Sequence, residues 1–235
     1  MLHSIDKVIL FCIYALLHLC SSEGKINKQE IVSVSALLTF GDSFVDQGNN
    51  NYNAAIGKAN YLPYGKDFMG GKPTGRLISQ DWFLYFAFRL TTKTTIYDLQ
   101  VEGLGVKEYL PAYLDPFLQD DDLLTGVSFA SGGSGYDPVT PRFSSAIPLS
   151  DQLNLFKQYI GKLETKVGEE AAMDIITNSV FLVVASTNDL IITFPLRGIL
   201  TDATEYDTML TNLTLSFVQV YILINTYICT SFNEF

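Results

Sequence analysis

The 235 residues contain three cysteines, two histidines and one tryptophan, and basic residues are scarce, 15 Lys and Arg against 25 Asp and Glu. Each shortage excludes something. A formal net charge of −10 argues against nucleic acid or an anionic membrane surface as the main partner, because either would repel the chain at moderate salt. Two of the cysteines, Cys12 and Cys20, fall in the first twenty residues; a mature chain without them keeps only Cys229 and has no disulfide framework. Stability must come from a core, and a composition 48% hydrophobic and 17% charged is enough for one principal domain. There is also no apolar run of membrane-spanning length at the start: residues 8–19 fall well short of the roughly 20 needed.

That short run reads instead as a secretion signal. Lys7 supplies the positive start, and Cys20, Ser22 and Gly24 offer small residues for cleavage. The expected organisation is a signal over 1–22 and one domain over 23–235, in a secreted, extracellular protein. Asn212-Leu213-Thr214 is the single sequon for an N-glycan.

Strand-length apolar runs appear at 36–40, 126–130 and 180–185, each followed by small or polar turn residues. Between them lie helical patterns. Leu153, Phe156, Ile160 and Leu163 recur at three or four, with Ser150 or Asp151 as the expected cap. Glu169 and Glu170 suit the first turn of a helix reaching Ile176, and Tyr206, Leu210, Leu213 and Phe217 mark a further helix with Thr204 as cap. Alternating strands and helices predict an α/β architecture with a parallel sheet covered on both faces.

In such sheets ligands bind beyond the carboxyl ends of the strands. Gly41-Asp42-Ser43 follows the first run, Ser131-Gly132-Gly133-Ser134-Gly135 the second, and Ser186-Thr187-Asn188-Asp189 the third. A serine on a tight turn after a strand exposes an attacking oxygen, which makes Ser43 the candidate nucleophile. A glycine N–H, from Gly133 or Gly132, and the Asn188 amide would hold the oxyanion formed when Ser43 attacks an ester carbonyl. Taken singly each piece is equally a turn, a flexible loop or an Asx-turn; in series, each behind a strand, they point to one site. Neither the glycine loop nor Gly103-Leu104-Gly105 has dinucleotide-fingerprint spacing, and no Gly-x-Ser-x-Gly elbow is present. No cofactor or metal site is expected.

These residues resemble the plant GDSL esterase/lipase family of SGNH hydrolases, and within it the extracellular lipase subgroup. TFGDSFVDQGNN at 39–50 resembles the family's first block, whose serine is the nucleophile. LPYG at 62–65 and GGKPTGR at 70–76 are similar to the run that follows it. GVSFASGGSGYD at 126–137 resembles the second block, and ASTND at 185–189 the third, with Ser186 where glycine is usual. The resemblance implies a three-layer SGNH-like fold and hydrolysis of carboxylic esters, small or lipid, through an acyl-enzyme, with Ser43 as nucleophile and Gly133 and Asn188 at the oxyanion.

Two stretches depart from the pattern. Residues 77–101, crowded with Trp82, Phe83, Tyr85, Phe86 and Phe88, replace a more polar segment; they fit translated intron sequence and equally a buried helix. Residues 220–235, which also fit translated intron sequence, replace the continuation of the domain, and with it the block that carries the family's catalytic Asp and His. The only histidines, His3 and His18, lie in the expected signal. The alternative expectation is therefore a C-terminally truncated, inactive product or a lipid- or wall-binding protein.

Overall fold

A computed structural model describes residues 34–66, 71–76, 110–197 and 202–231, with side chains in the last helix through residue 220. All of them belong to one compact unit, residues 34–80 and 106–235; the other unit, 1–33 and 81–105, lies wholly outside the described residues. The expected signal over 1–22, both histidines and the aromatic stretch at 77–101 therefore lie outside the described residues, as do the side chains of 221–235.

Strand β1 is Leu37–Gly41 and pairs in parallel with β2, Val180–Val184, Leu37 against Val180 and Gly41 against Val184. β1 is buried over its last four residues, as is usual for a strand of a parallel sheet. Its other edge meets the segment predicted as a strand at 126–130. The backbone runs alongside β1 there, with Leu37 N–H donating to Thr125 O, Thr39 N–H to Val127 O and Phe129 N–H to Thr39 O. The structure nonetheless resolves this stretch as isolated parallel bridges from Ser128 to Thr39 and to Ala112, which corrects the expected full strand. Two features shorten it. Gly126 enters at φ +108, where a Cβ would lie 1.9 Å from Leu37 O, and on the far side Pro111 has no N–H to extend the ladder.

Helix α1, Leu149–Val167, presents Leu153, Phe156, Tyr159, Ile160 and Leu163 to the core. It starts at Leu149 behind Pro148, so Ser150 and Asp151 sit in its first turn and neither caps it. Gly168, at φ +85, ends α1 and leads into α2, Glu169–Thr177. After β2 a π-helical turn, Asp189–Thr193, runs into the short α3, Phe194–Arg197; α4 covers Ala203–Ser231, which places the expected cap Thr204 inside its first turn. Among the described residues no helix is long and apolar enough to cross a membrane.

The core is an aromatic stack across the sheet and helices. Phe40 of β1 stacks on Phe129 at 5.0 Å and meets Phe156 of α1 and Phe217 of α4 edge-on. Such offset and edge contacts add to the apolar area that each ring buries. Parallel strands with helices packed against them give the α/β arrangement that the sequence predicts.

Candidate active site

The site begins where β1 ends. Gly41 adopts φ +130, and a Cβ there would fall 1.8 Å from Val184 O, so only glycine lets the two strand ends close. Asp42 N–H still bonds Val184 O at 2.9 Å, after which Val45 and Asp46 N–H both return to Asp42 O. This tight turn carries Ser43, which is half-buried beside the exposed Phe44.

Asp42 is fully buried. One carboxylate oxygen accepts the Phe44 N–H at 3.1 Å and the other has no hydrogen-bond partner among the described residues. Burial pushes its pKa up to about 6; the Phe44 bond pulls it down, and the charge of Asp189 pushes it further up.

The glycine loop packs against this turn. Ser131 N–H donates to Gly41 O at 3.0 Å, and Gln152 from α1 reaches in to bond both Gly41 and the Ser134 hydroxyl. Asn49 is buried and donates to Ser128 O and Ala130 O at 2.8 Å each. The third loop bonds the second. Asn188 Nδ2 donates to Ser134 O at 2.8 Å, while Asp189 accepts the Tyr136 and Asp137 N–H at 2.8 and 3.1 Å and the Thr140 hydroxyl. Arg197 then pairs with Asp137 through Nε at 2.6 Å and Nη2 at 3.0 Å, and Tyr206 of α4 donates to Asp189 O at 3.2 Å. The loops carrying Ser43, Gly133 and Asn188 are thus knit together at one end of the sheet.

The backbone donors of the glycine loop differ in what they bond. Gly132 N–H is committed to Asp46 Oδ2 at 2.9 Å, Ser134 N–H to Ser131 O, and Tyr136 and Asp137 N–H to Asp189. Gly133 and Gly135 are left without an N–H acceptor among the described residues. In a trans peptide the N–H points opposite to the preceding carbonyl. Because Ser134 O faces Asn188, the Gly135 N–H points away from that amide and cannot converge with it on one oxygen. Gly133 is the remaining candidate, and Gly132 is not available in this arrangement.

Sequence reasoning missed Gln152 and gave no role to Asp46 or Asn50. The signal for Gln152 was present: it occupies the buried stripe of α1 between Leu149 and Phe156, where an uncharged polar residue must find partners. Lys58 directs its ammonium at the carbonyls of Asn51 and Asn53. Among the described residues no group of three or more potential metal ligands comes together.

Comparison with curated proteins returns GDSL esterases/lipases of Arabidopsis thaliana. One is 43% identical over 197 residues, covering 84% of this chain and 50% of the relative. Another is 44% identical over 191 residues, 80% of this chain and 53% of the relative, and a third is 47% identical over 167 residues, 71% and 45%. No protein-family model and no solved structure matches. The chain spans about half the length of the curated relatives it matches. With 40–47% identity to these relatives and the three loops in series at one end of a parallel sheet, the chain belongs to the GDSL esterase/lipase family.

Proposed function

We propose that this chain carries the nucleophile and the oxyanion donors of a serine hydrolase of carboxylic esters. Ser43 Oγ attacks the ester carbonyl, the Gly133 N–H and the second amide proton of Asn188 bind the oxyanion, the alcohol leaves, and water releases the acyl group from Ser43. The observation that carries this reading is the donor account: around a serine on a strand-end turn, the Gly133 N–H is uncommitted while its neighbours' are bonded. The fold that goes with it is the three-layer SGNH sheet with helices on both faces. A substrate of neutral, apolar ester character suits the net charge of −10. The chain is secreted, and Asn212, exposed on α4, is its glycan acceptor.

A second reading is favoured by one sequence fact. Among these 235 residues histidine occurs only at His3 and His18, so residues 23–235 hold no imidazole to take the Ser43 proton. On that reading these 235 residues alone are inactive, or retain lipid or wall binding without turnover; a missing triad member costs orders of magnitude in rate. The two readings separate in one assay. Secreted protein is purified beside Ser43→Ala and offered a short-chain chromogenic ester, with and without millimolar imidazole. Hydrolysis above the Ser43→Ala control without imidazole supports an intact hydrolase. A gain only with imidazole supports a site that lacks its base. Equality in both conditions rejects Ser43 as a nucleophile in this chain.

A further inference from the structure

The Gly132 backbone is gripped at both of its polar groups by side chains from the turn that follows Ser43. Its N–H donates to Asp46 Oδ2 at 2.9 Å, and its carbonyl accepts from Asn50 Nδ2 at 2.9 Å. Both side chains are themselves fixed. Asp46 is buried and also accepts the Gly48 and Asn49 N–H at 2.8 Å each. Asn50 is buried, donates to Gly57 O at 2.9 Å, and accepts the Ser131 hydroxyl. The peptide joining Gly132 to Gly133 is planar and trans, so holding its carbonyl on Asn50 aims its N–H the opposite way. That N–H belongs to Gly133. Gly133 itself sits at φ +97, a conformation that favours glycine, and a Cβ there would fall 2.1 Å from Ser144 Oγ.

We propose that Asn50, with Asp46, is a positioning residue for the oxyanion donor: together they lock Gly132 so that the Gly133 N–H faces the reacting carbonyl. This rests on the hydrolase reading above and deepens it, by assigning a task to the two polar residues that lie three and seven positions beyond Ser43. The neighbouring Asn51 supplies the contrast. Its amide donates to Thr74 O at 2.9 Å, on a different segment, and it has no bond to the glycine loop.

The test uses the full chain, isotope-labelled for amide spectra, as wild type, Asn50→Asp, Asp46→Asn, Asn51→Asp and Ser43→Ala. Asn50→Asp keeps the acceptor for Ser131 and replaces the donor to Gly132 O by a second oxygen. The probe is an alkyl fluorophosphonate, whose phosphoryl oxygen occupies the oxyanion position as it labels Ser43, with imidazole as external base. The expected result is labelling at least tenfold slower in Asn50→Asp and Asp46→Asn, a shifted Gly133 amide signal, and neither change in Asn51→Asp. Wild-type labelling rates in a folded Asn50→Asp protein, or an unmoved Gly133 signal, overturn the proposal. Should Asn50→Asp fail to fold, Asp46→Asn decides it by the same two readouts. Should wild type label no faster than Ser43→Ala, the hydrolase reading fails separately. The Gly133 signal then decides the positioning: moved by Asn50→Asp and not by Asn51→Asp supports it, unmoved by both overturns it.

Discussion

Gln152 holds Gly41 by both of its backbone groups, accepting the Gly41 N–H at 2.8 Å and donating to the Gly41 carbonyl at 2.9 Å. A residue 111 positions away thereby completes the strand end from which the Ser43 turn departs. The same side chain also bonds the Ser134 hydroxyl and the Ile147 carbonyl, so one amide of α1 joins the first and second loops of the site.

Replacing Gln152 by leucine fills the same space and orphans the Gly41 N–H inside the protein. A buried donor left unpaired costs about 1–3 kcal/mol, and the lost bonds to Ser134 and Ile147 bring the expected destabilisation to about 3 kcal/mol. Urea unfolding measures it. A loss under 1 kcal/mol would show that the loops hold together without Gln152.

Two glycines test how far the backbone approach at the strand end is obligatory. Gly41→Ala places a methyl 1.8 Å from the Val184 carbonyl and at φ +130, so β1 and β2 must separate where Asp42 joins them. The expected loss exceeds about 4 kcal/mol, enough to abolish soluble protein. Gly161→Ala, in the middle of α1 with nothing within 4 Å, is expected to stabilise by roughly 0.5–1 kcal/mol through helix propensity. The pair is read from soluble yield and Tm side by side; equal Tm values would refute the account of Gly41.

Much of this was legible in the sequence because the relevant signals are local. β1, β2 and the amphipathic stripe of α1 follow from apolar runs and spacing, and each fell within a few residues of its expected bounds. The second strand did not, since the conformation of Gly126 and the missing N–H of Pro111 act through neighbours far along the chain. The same holds at the site. Ser43, Gly133 and Asn188 stand out as turn residues behind apolar runs, whereas the choice between Gly132 and Gly133 depends on where Asp46 sends its second oxygen, which no spacing reveals.

Ser186 carries a backbone cost that the sequence alone marked only as an oddity. It stands where the family resemblance implies glycine, and it adopts φ +94, a region that side chains rarely enter. Such a residue costs of order 1–3 kcal/mol, partly offset by the smaller entropy serine loses on folding. Ser186→Gly is therefore expected to raise stability by about 1 kcal/mol. A chemical denaturation midpoint that fails to rise would mean that the Ser186 side chain compensates for its own strain.

The buried carboxylates at the site predict an unusual dependence of stability on pH. Burial is the largest cause for both Asp42 and Asp46, each pushed up to about 6 from an ordinary 3.8, and it also raises Asp189. A raised folded-state pKa means that the native protein holds protons which the unfolded chain has already released. The ionised groups therefore cost stability at neutral pH; the cost shrinks as pH falls through about 6 and is gone below about 4. Lowering the pH from 7.5 to 5 is expected to gain roughly 1–1.5 kcal/mol for each of Asp42 and Asp46, against the usual direction of acid destabilisation. Asp42→Asn removes one of these charges without changing the Phe44 contact geometry, so its Tm should exceed wild type at pH 7.5 and vary less down to pH 5. Thermal melts across that range decide the matter. A wild-type Tm that falls steadily from pH 7.5 to 5, or an Asp42→Asn slope equal to wild type, would mean that Asp42 is ionised at little cost and that its second oxygen finds a partner.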